Sequence, residues 1–367
     1  MGMYKEFSNI CSLYGLPGRL IKYSFIKTGN INDTFVITLL EDAKEKSYIV
    51  QRINHHVFKK PNEVMHNIEL VTKHIYNKLL NAGESDLIRK VVKIYHRTNG
   101  ESLFVDDNGD YWRVTSYVFD SKNFNLPDKK ILKSTGEGFG RFQKLLLDFD
   151  ASKLYETIPG FHDTKNRFRQ LEAAIAADPA GRAGEVKKEI AFLTEREKFA
   201  DKVNKMFESG EIALRVTHND TKCNNIMFDE TTEEPLAVID LDTVMPGFVM
   251  NDFGDALRFA ANTSFEDEKD LTKVSLDIEL YRAFAEGFVP QLREDLGKGE
   301  LESLNWGLYL MALELSTRFL TDYINGDTYF KTDYDDHNLV RTRCQMKLLG
   351  DVENKFDRLE NILKEYC

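Results

Sequence analysis

The chain has 367 residues and carries 49 Lys and Arg against 60 Asp and Glu, a net charge of −11. A surface of that sign repels nucleic acid and anionic lipid, which sets aside a DNA clamp or a peripheral membrane anchor. Hydrophobic residues make up 42%, with 25 Phe and 15 Tyr, enough to fill a large core, so wholesale disorder is set aside as well.

The opening MGMYKEF has no signal-peptide core, and Gly2 is followed by Glu6 where an acylation signal wants Ser or Thr. Residues 23–26 and 33–39 read as strands flanking a turn of Thr28, Gly29, Asn30, Ile31 and Asn32, a hairpin signature. A polar loop over 41–46 leads to a β-prone run, 48–53. After Pro61 the period changes: Val64, Ile68, Val71, Ile75 and Leu79 form one apolar stripe of a helix, with Pro61 and Asn62 as start signals. Strands are expected at 91–95 and 111–119, joined around Asp106-Asp107-Asn108-Gly109, a turn sequence. That makes about five strands with one long helix after the third.

Beyond residue 120 helical periodicity takes over, at 131–149, 166–177, 183–207, 278–288, 301–323 and 340–366. One β-prone island, 225–239, interrupts it. The longest apolar uncharged stretch, 303–313, is far short of the ~20 residues a membrane helix needs. Cys11, Cys223, Cys344 and Cys367 are scattered without paired spacing, and no HExxH occurs, so free thiols in a reducing, cytoplasmic compartment are expected. The pattern suggests an α+β protein: a β-rich lobe over 1–119, a helical lobe over 120–367 and a cleft between them.

The island reads RVTHNDTKCNNIMFDETTEEPLAVIDLDTVMPG. Residues 226–228 and 236–239 are two short strands, and a hairpin brings the residue before the first beside the residue after the second. Asn225 and Asp240 therefore meet at the open end, with Asp220 in the loop leading in. Magnesium takes hard oxygen ligands and leaves room for waters and phosphate oxygens. Asn225 and Asp240 suit the metal, and Asp220 suits a substrate hydroxyl and its proton, the parts phosphoryl transfer requires. Taken singly, Asp229, Asp240 and Asp242 read first as turn and cap residues, and His218 as a brace for the loop; the joint pattern of H-x-D-x-x-x-x-N, a hairpin and then I-D is what outweighs that reading.

Two look-alikes are set aside. Asp252-Phe253-Gly254 spells a protein-kinase metal motif but lies past the hairpin, where Asp252 would brace the loop from a helix N-terminus. Gly136-x-Gly138 sits inside helical sequence, with Arg141 where a dinucleotide fingerprint needs glycine, and reads as close helix packing.

His218-x-Asp220 through Asn225, then Ile239-Asp240, resembles the aminoglycoside phosphotransferase and choline kinase superfamily of kinase-like folds. The blocks RVTHNDTKCNNIMFD, IDLDTVMPG, FHDTKNRF, EDEKDL, RFLTDYINGDTYF and HNLVRTR resemble more narrowly its sugar kinases that phosphorylate GlcNAc and GalNAc at the anomeric hydroxyl. They run from about residue 29 to 347. The resemblance implies a two-lobed protein-kinase-like fold using ATP and Mg2+, with Asp220 as catalytic base and Asn225 and Asp240 as metal ligands. It implies an N-acetylhexosamine as the small-molecule partner; the charge balance argues against a nucleic acid or membrane partner, and the oligomeric state is left open, with a monomer favoured. Thr28, Gly29, Asn30, Ile31 and Asn32 would cover the phosphates, and Ser116, Tyr117, Val118 and Phe119 would form the adenine hinge. Glu69 matches the acid that pairs with a phosphate-binding lysine, but Gln51 stands at that lysine's position, and Arg52 points to the other face.

For the sugar pocket the resemblance implicates Thr243, Arg318 and Tyr329, with His162 and Asp163 weaker. Arg318 interrupts an apolar helix and needs a partner, a structural carboxylate such as Asp322 or Asp327 or a sugar hydroxyl. Two rival readings stay open. The same fold could serve another acceptor, such as homoserine, choline, an aminoglycoside or a methylthioribose-like sugar, or the missing lysine could mark a catalytically silent nucleotide-binding module.

Overall fold

Residues 2–26 and 31–367 are described by the structure, a computed structural model, and they fall into two units. Thr28, Gly29 and Asn30 of the expected phosphate-covering turn lie outside the described residues. The first unit comprises Met1–Lys122, Ser152–Ile158 and Ile226–Met245. Its elements up to Lys122 are α1 (Gly2–Leu13), β1 (Arg19–Ile26), β2 (Asp33–Glu41), β3 (Lys44–Ile53), α2 (Pro61–Asn81), α3 (Leu87–Lys90), β4 (Ile94–Tyr95), β5 (Phe104–Val105), β6 (Tyr111–Ser116) and β7 (Ser121–Lys122). Where the sequence suggested one boundary near residue 120, two later segments join this unit. Strand pairing is one cause: Ile226–Asp229 ladders with Pro235–Val238 on one side and with β7 on the other.

The main sheet is antiparallel in the order β1-β2-β3-β6-β4, with β5 on the other part of β6. Residues 41–46, expected as a polar loop, are strand on both sides of a two-residue turn, Asp42-Ala43. Glu41 pairs with Lys44 across it, and both turn residues take positive φ, 47° and 64°, as the twist of a two-residue hairpin demands. The turn at 106–109 joins β6 to β5 rather than to the strand near 95, because Phe104 and Val105 pair with Trp112 and Tyr111.

The sequence reading passed over α1, although Met3, Phe7, Ile10 and Tyr14 recur at helical spacing. It closes one face of the sheet: the Phe7 ring meets those of Phe35 at 5.0 Å and Trp112 at 6.3 Å, in a core with Ile37, Leu39, Tyr48 and Val50. α2 has Pro61 in its first turn and buries Val64, Ile68, Val71, Ile75 and Leu79, the stripe expected.

The second unit comprises Asn123–Ala151, Pro159–Asn225 and Pro246–Cys367. It is helical: α4 (Lys129–Leu146), α5 (Thr164–Ala177), α6 (Lys187–Thr194), α7 (Lys202–Glu208), α8 (Val249–Ala260), α9 (Ile278–Leu292), α10 (Lys298–Ile324) and α11 (His337–Lys364). The single helix expected over 183–207 is broken between α6 and α7. There Arg196 donates to the Phe192 carbonyl and forks onto Glu353 at 2.8 and 2.7 Å, turning the chain out of helical register. Gly136 and Gly140 of α4 lie against the backbone of α9, where an added Cβ would collide, so Gly136-x-Gly138 belongs to helix packing. Among the described residues no helix is long and apolar enough to cross a membrane.

Candidate active site

The loop that carries Asp220 follows a three-residue strand, Arg215–Thr217. Its backbone is held from α8. The N–H groups of His218 and Asn219 donate to the Asp252 carboxylate at 2.9 and 2.8 Å, and the Gln143 side chain donates to it as well. Thr221 donates its hydroxyl to the Asp252 carbonyl at 2.7 Å and its N–H to Asp255 at 3.0 Å. Burial pushes the Asp252 carboxyl up, with His218 and the loop N–H groups working against that. Asp252-Phe253-Gly254 thus braces this loop from the start of a helix. The buried His218 ring stands edge-on to Phe139 and Phe142, and its Nδ1 accepts from the Asp220 N–H at 3.3 Å, so it too is a brace.

With the backbone fixed, Asp220 is partnered on both oxygens. Lys222 Nζ lies 2.9 Å from Oδ1, and the Asn225 amide donates to Oδ2 at 3.1 Å and to the Asp220 carbonyl at 2.8 Å. Burial pulls the Lys222 ammonium down, but Asp220 and then Asp255 more than offset it, so the net shift is upward and Lys222 stays charged. Lys222 is a functional candidate that the sequence reading missed; a lysine two residues past Asp220 was the available signal. Because the Asn225 N–H donors are committed to Asp220, its amide oxygen is left as a hard ligand. In the first unit Val238 faces Ile226 across the hairpin, so that strand pair leads on to Asp240. An amide oxygen and a carboxylate are donors that magnesium accepts alongside waters and phosphate oxygens, so these residues fit the ion. Among the described residues no group of three or more His, Cys, Asp or Glu is placed to hold a metal.

In the first unit Asp240 takes left-handed backbone, φ 57° and ψ 55°, and leads into a 3-10 turn, Leu241–Thr243. For a non-glycine residue that conformation costs about 1 kcal/mol and persists where neighbours hold it. Asp242, within that turn, is firmly anchored. Read from sequence as an ordinary turn residue, it is buried and accepts a two-pronged ion pair from Arg113, with Nη2 at 2.8 Å from Oδ2. Strand register builds the rest: Thr34 faces Gln51, and Gln51 faces Arg113. Gln51 donates to Thr34 at 3.0 Å and accepts from Arg113 Nε at 2.9 Å. Asn32 donates to Asp242 at 2.6 Å and accepts from the Asn54 N–H at 2.9 Å. Burial alone would pull the Arg113 guanidinium down; Asp242, then Asp240, carry it upward instead.

The side chain at the expected lysine position is therefore one link in a buried network whose acid is Asp242. Glu69 lies 3.3 Å from His96. Arg52 is a surface charge, paired with Asp33 and, at 3.2 Å, with Asp110. Ser116 closes β6, its hydroxyl accepting from the Lys93 N–H at 3.0 Å; Val118 is buried, and Tyr117 and Phe119 are exposed. Thr243 is buried within its turn.

In the second unit Arg318 reaches back one turn to Glu314, its Nη1 3.4 Å from Oε1. Neither Asp322 nor Asp327 is its partner. Helical side chains lean toward the N-terminus, which brings residue 314 rather than 322 within reach. Asp322 accepts instead from the backbone N–H groups of Thr328, Tyr329 and Phe330, and Asp327 pairs with Arg182 at 2.5 Å. Glu314 is buried, yet His162 Nδ1 lies 3.2 Å and Arg167 Nε 3.9 Å from it. The Arg318 guanidinium also lies 5.9, 5.8 and 5.4 Å from the ring centres of Phe161, Tyr329 and Phe330, and Tyr329 is 71% exposed. Asp163 caps α5 by accepting from the Asn166 N–H at 2.9 Å. Glu314 and Arg167 were not singled out from sequence, because nothing local marks a buried glutamate in an apolar helix.

Burial pushes the Glu314 carboxyl up, but His162, then Arg318 and Arg167, overcome it and hold the group below the usual glutamate range. The folded state then binds this proton less tightly than the unfolded one. The stabilisation is complete above the ordinary value of about 4.5 and is lost as pH falls through the lower folded value. Urea titrations should therefore show wild type more stable than Glu314→Gln near neutrality, with the gap closing on acidification; a gap that widens instead contradicts the assignment.

The two units define a kinase-like fold, an antiparallel-sheet N-terminal unit followed by a helical C-terminal one. Solved structures bear this out at low identity. The chain is similar to a microcompartment-associated aminopropanol kinase, with 14% identity, 97% of this chain and 98% of that one covered, and a TM-score of 0.61. It is also similar to choline kinase from Cryptosporidium parvum Iowa II, with 12% identity, 99% of each chain covered and a TM-score of 0.59. Residues 22–286 match the Phosphotransferase enzyme family, APH, and the chain belongs to that family.

Proposed function

We propose that this family member is an N-acetylhexosamine 1-kinase, moving the γ-phosphoryl group of ATP onto the C1 hydroxyl of GlcNAc or GalNAc in the cytoplasm. The observation that carries the choice of acceptor is the charge around Glu314. Arg318, Arg167 and His162 share that one carboxylate, and among the described residues His162 Nε2 and Arg167 Nε have no hydrogen-bond partner. Choline or a polycationic aminoglycoside would want aromatic or carboxylate surroundings without the two guanidinium groups of Arg318 and Arg167. A neutral sugar carries no charge for those guanidinium groups to repel, and it finds ring faces at Phe161, Tyr329 and Phe330.

On this reading Asp220 orients the C1 hydroxyl and accepts its proton, held for that task by Lys222 and Asn225. An anomeric hydroxyl is more acidic than an ordinary alcohol, so a carboxylate suffices as base. Asn225 and Asp240 would hold magnesium, which when bound neutralises charge on the phosphate oxygens. Residues 28–32 would cover the phosphates, Ser116–Phe119 (116–119) would receive adenine, and Thr243 and Tyr329 would line the sugar site with Arg318. Intact Asp220, Asn225 and Asp240 speak against a silent module.

Phosphorus NMR with Mg-ATP and a panel of GlcNAc, GalNAc, glucose, homoserine, choline and kanamycin tests the proposal. A sugar 1-phosphate signal from GlcNAc or GalNAc is the expected result. Product from choline, homoserine or kanamycin alone would keep the kinase and overturn the acceptor; no product from any, with ATP still bound, would favour the silent module.

A further inference from the structure

We propose that Arg113 is a positioning residue for the metal-binding turn, acting through Asp242 to hold Asp240 in the conformation that presents its carboxylate to the ion. This rests on the reading of Asp240 as a metal ligand. Three observations within the first unit carry it. Asp242 is occupied on both oxygens, Oδ1 and Oδ2 by Arg113 and Oδ2 also by Asn32, so it serves as an anchor rather than a ligand. Asp240, two residues earlier, is left-handed without being glycine, and the far end of the same turn is pinned where the Val244 carbonyl accepts from Asn67 at 2.9 Å. Arg113 in turn is fixed by strand register, through Gln51 and Thr34, to the centre of the sheet.

The arrangement gives Gln51 a purpose. A lysine there would set a second cation beside Arg113, whereas an amide can accept from Nε and donate onward to Thr34. Asn32, the last residue of the segment expected to cover the phosphates, joins the same carboxylate. A contact that supports a metal ligand typically alters metal affinity about 10–100-fold when removed.

The test is Mn2+ binding to the ADP-bound enzyme, read as free Mn2+ by electron paramagnetic resonance, with metal-free ADP binding measured in EDTA. Arg113→Lys keeps the charge and loses the fork; Arg113→Met with Asp242→Leu removes the buried pair together and so leaves no orphaned charge. Mn2+ affinity should fall at least about threefold in the first and about tenfold in the second, with metal-free ADP affinity unchanged. A purely structural role would lower the melting temperature and leave Mn2+ affinity at 10 °C or so within about twofold of wild type, which would overturn the proposal. If the double variant does not fold, the lysine variant decides alone. Asp240→Asn serves as the reference: if it too retains Mn2+, the metal-site reading fails; if it alone loses Mn2+, only the role of Arg113 fails.

Discussion

On the proposed function, the Asp220→Asn protein should bind nucleotide and acceptor about as wild type does while its turnover falls on the order of 10²–10⁴-fold, the usual contribution of a positioned general base. The separation follows from what holds the loop. His218, Asn219 and Thr221 are fixed by Asp252 and Asp255, so the backbone at residue 220 does not depend on the charge of its side chain. Loss of the carboxylate removes the proton acceptor and the partner of Lys222, at 2.9 Å, without opening a cavity. Single-turnover transfer and ADP titration measure the two effects apart. Turnover within about tenfold of wild type would remove Asp220 from the chemistry.

Asp252→Ala should instead be a folding defect of about 3–5 kcal/mol, read from the urea midpoint, with activity lost as a consequence. The carboxylate is buried and takes two backbone N–H groups and the Gln143 side chain. Removing it leaves those donors inside the protein without an acceptor, each worth about 1–3 kcal/mol. Asp252→Asn keeps the shape and one acceptor oxygen, so it should fall between wild type and alanine. An alanine variant as stable as wild type would mean that the loop is held by other contacts.

Much of the scaffold was written locally. The apolar stripe of α2, the helical run of the second half and the two strands of the hairpin each repeat at the period of their own element, and periodicity needs no knowledge of distant residues. The same holds for the side-chain partners of Asp220, because Lys222 and Asn225 lie within five residues of it, although the loop backbone itself is held from Asp252 and Asp255. Where the reading went astray, the deciding interaction came from elsewhere. The break in residues 183–207 answers to Glu353 on α11, and α1 is held by Phe35 and Trp112.

The sequence by itself pointed to the phosphotransferase class that the family match over residues 22–286 supports, because His218-x-Asp220, Asn225 and Ile239-Asp240 form a motif at fixed spacing around one short hairpin. Only the tertiary structure decided how those groups are supported. Arg113 meets Asp242 across 129 residues because β6 pairs with β3, and Arg318 turns to Glu314 while His162 and Arg167 arrive from another segment. A buried charge takes whichever opposite charge the packing brings to it, and packing between distant segments leaves no periodicity in either one.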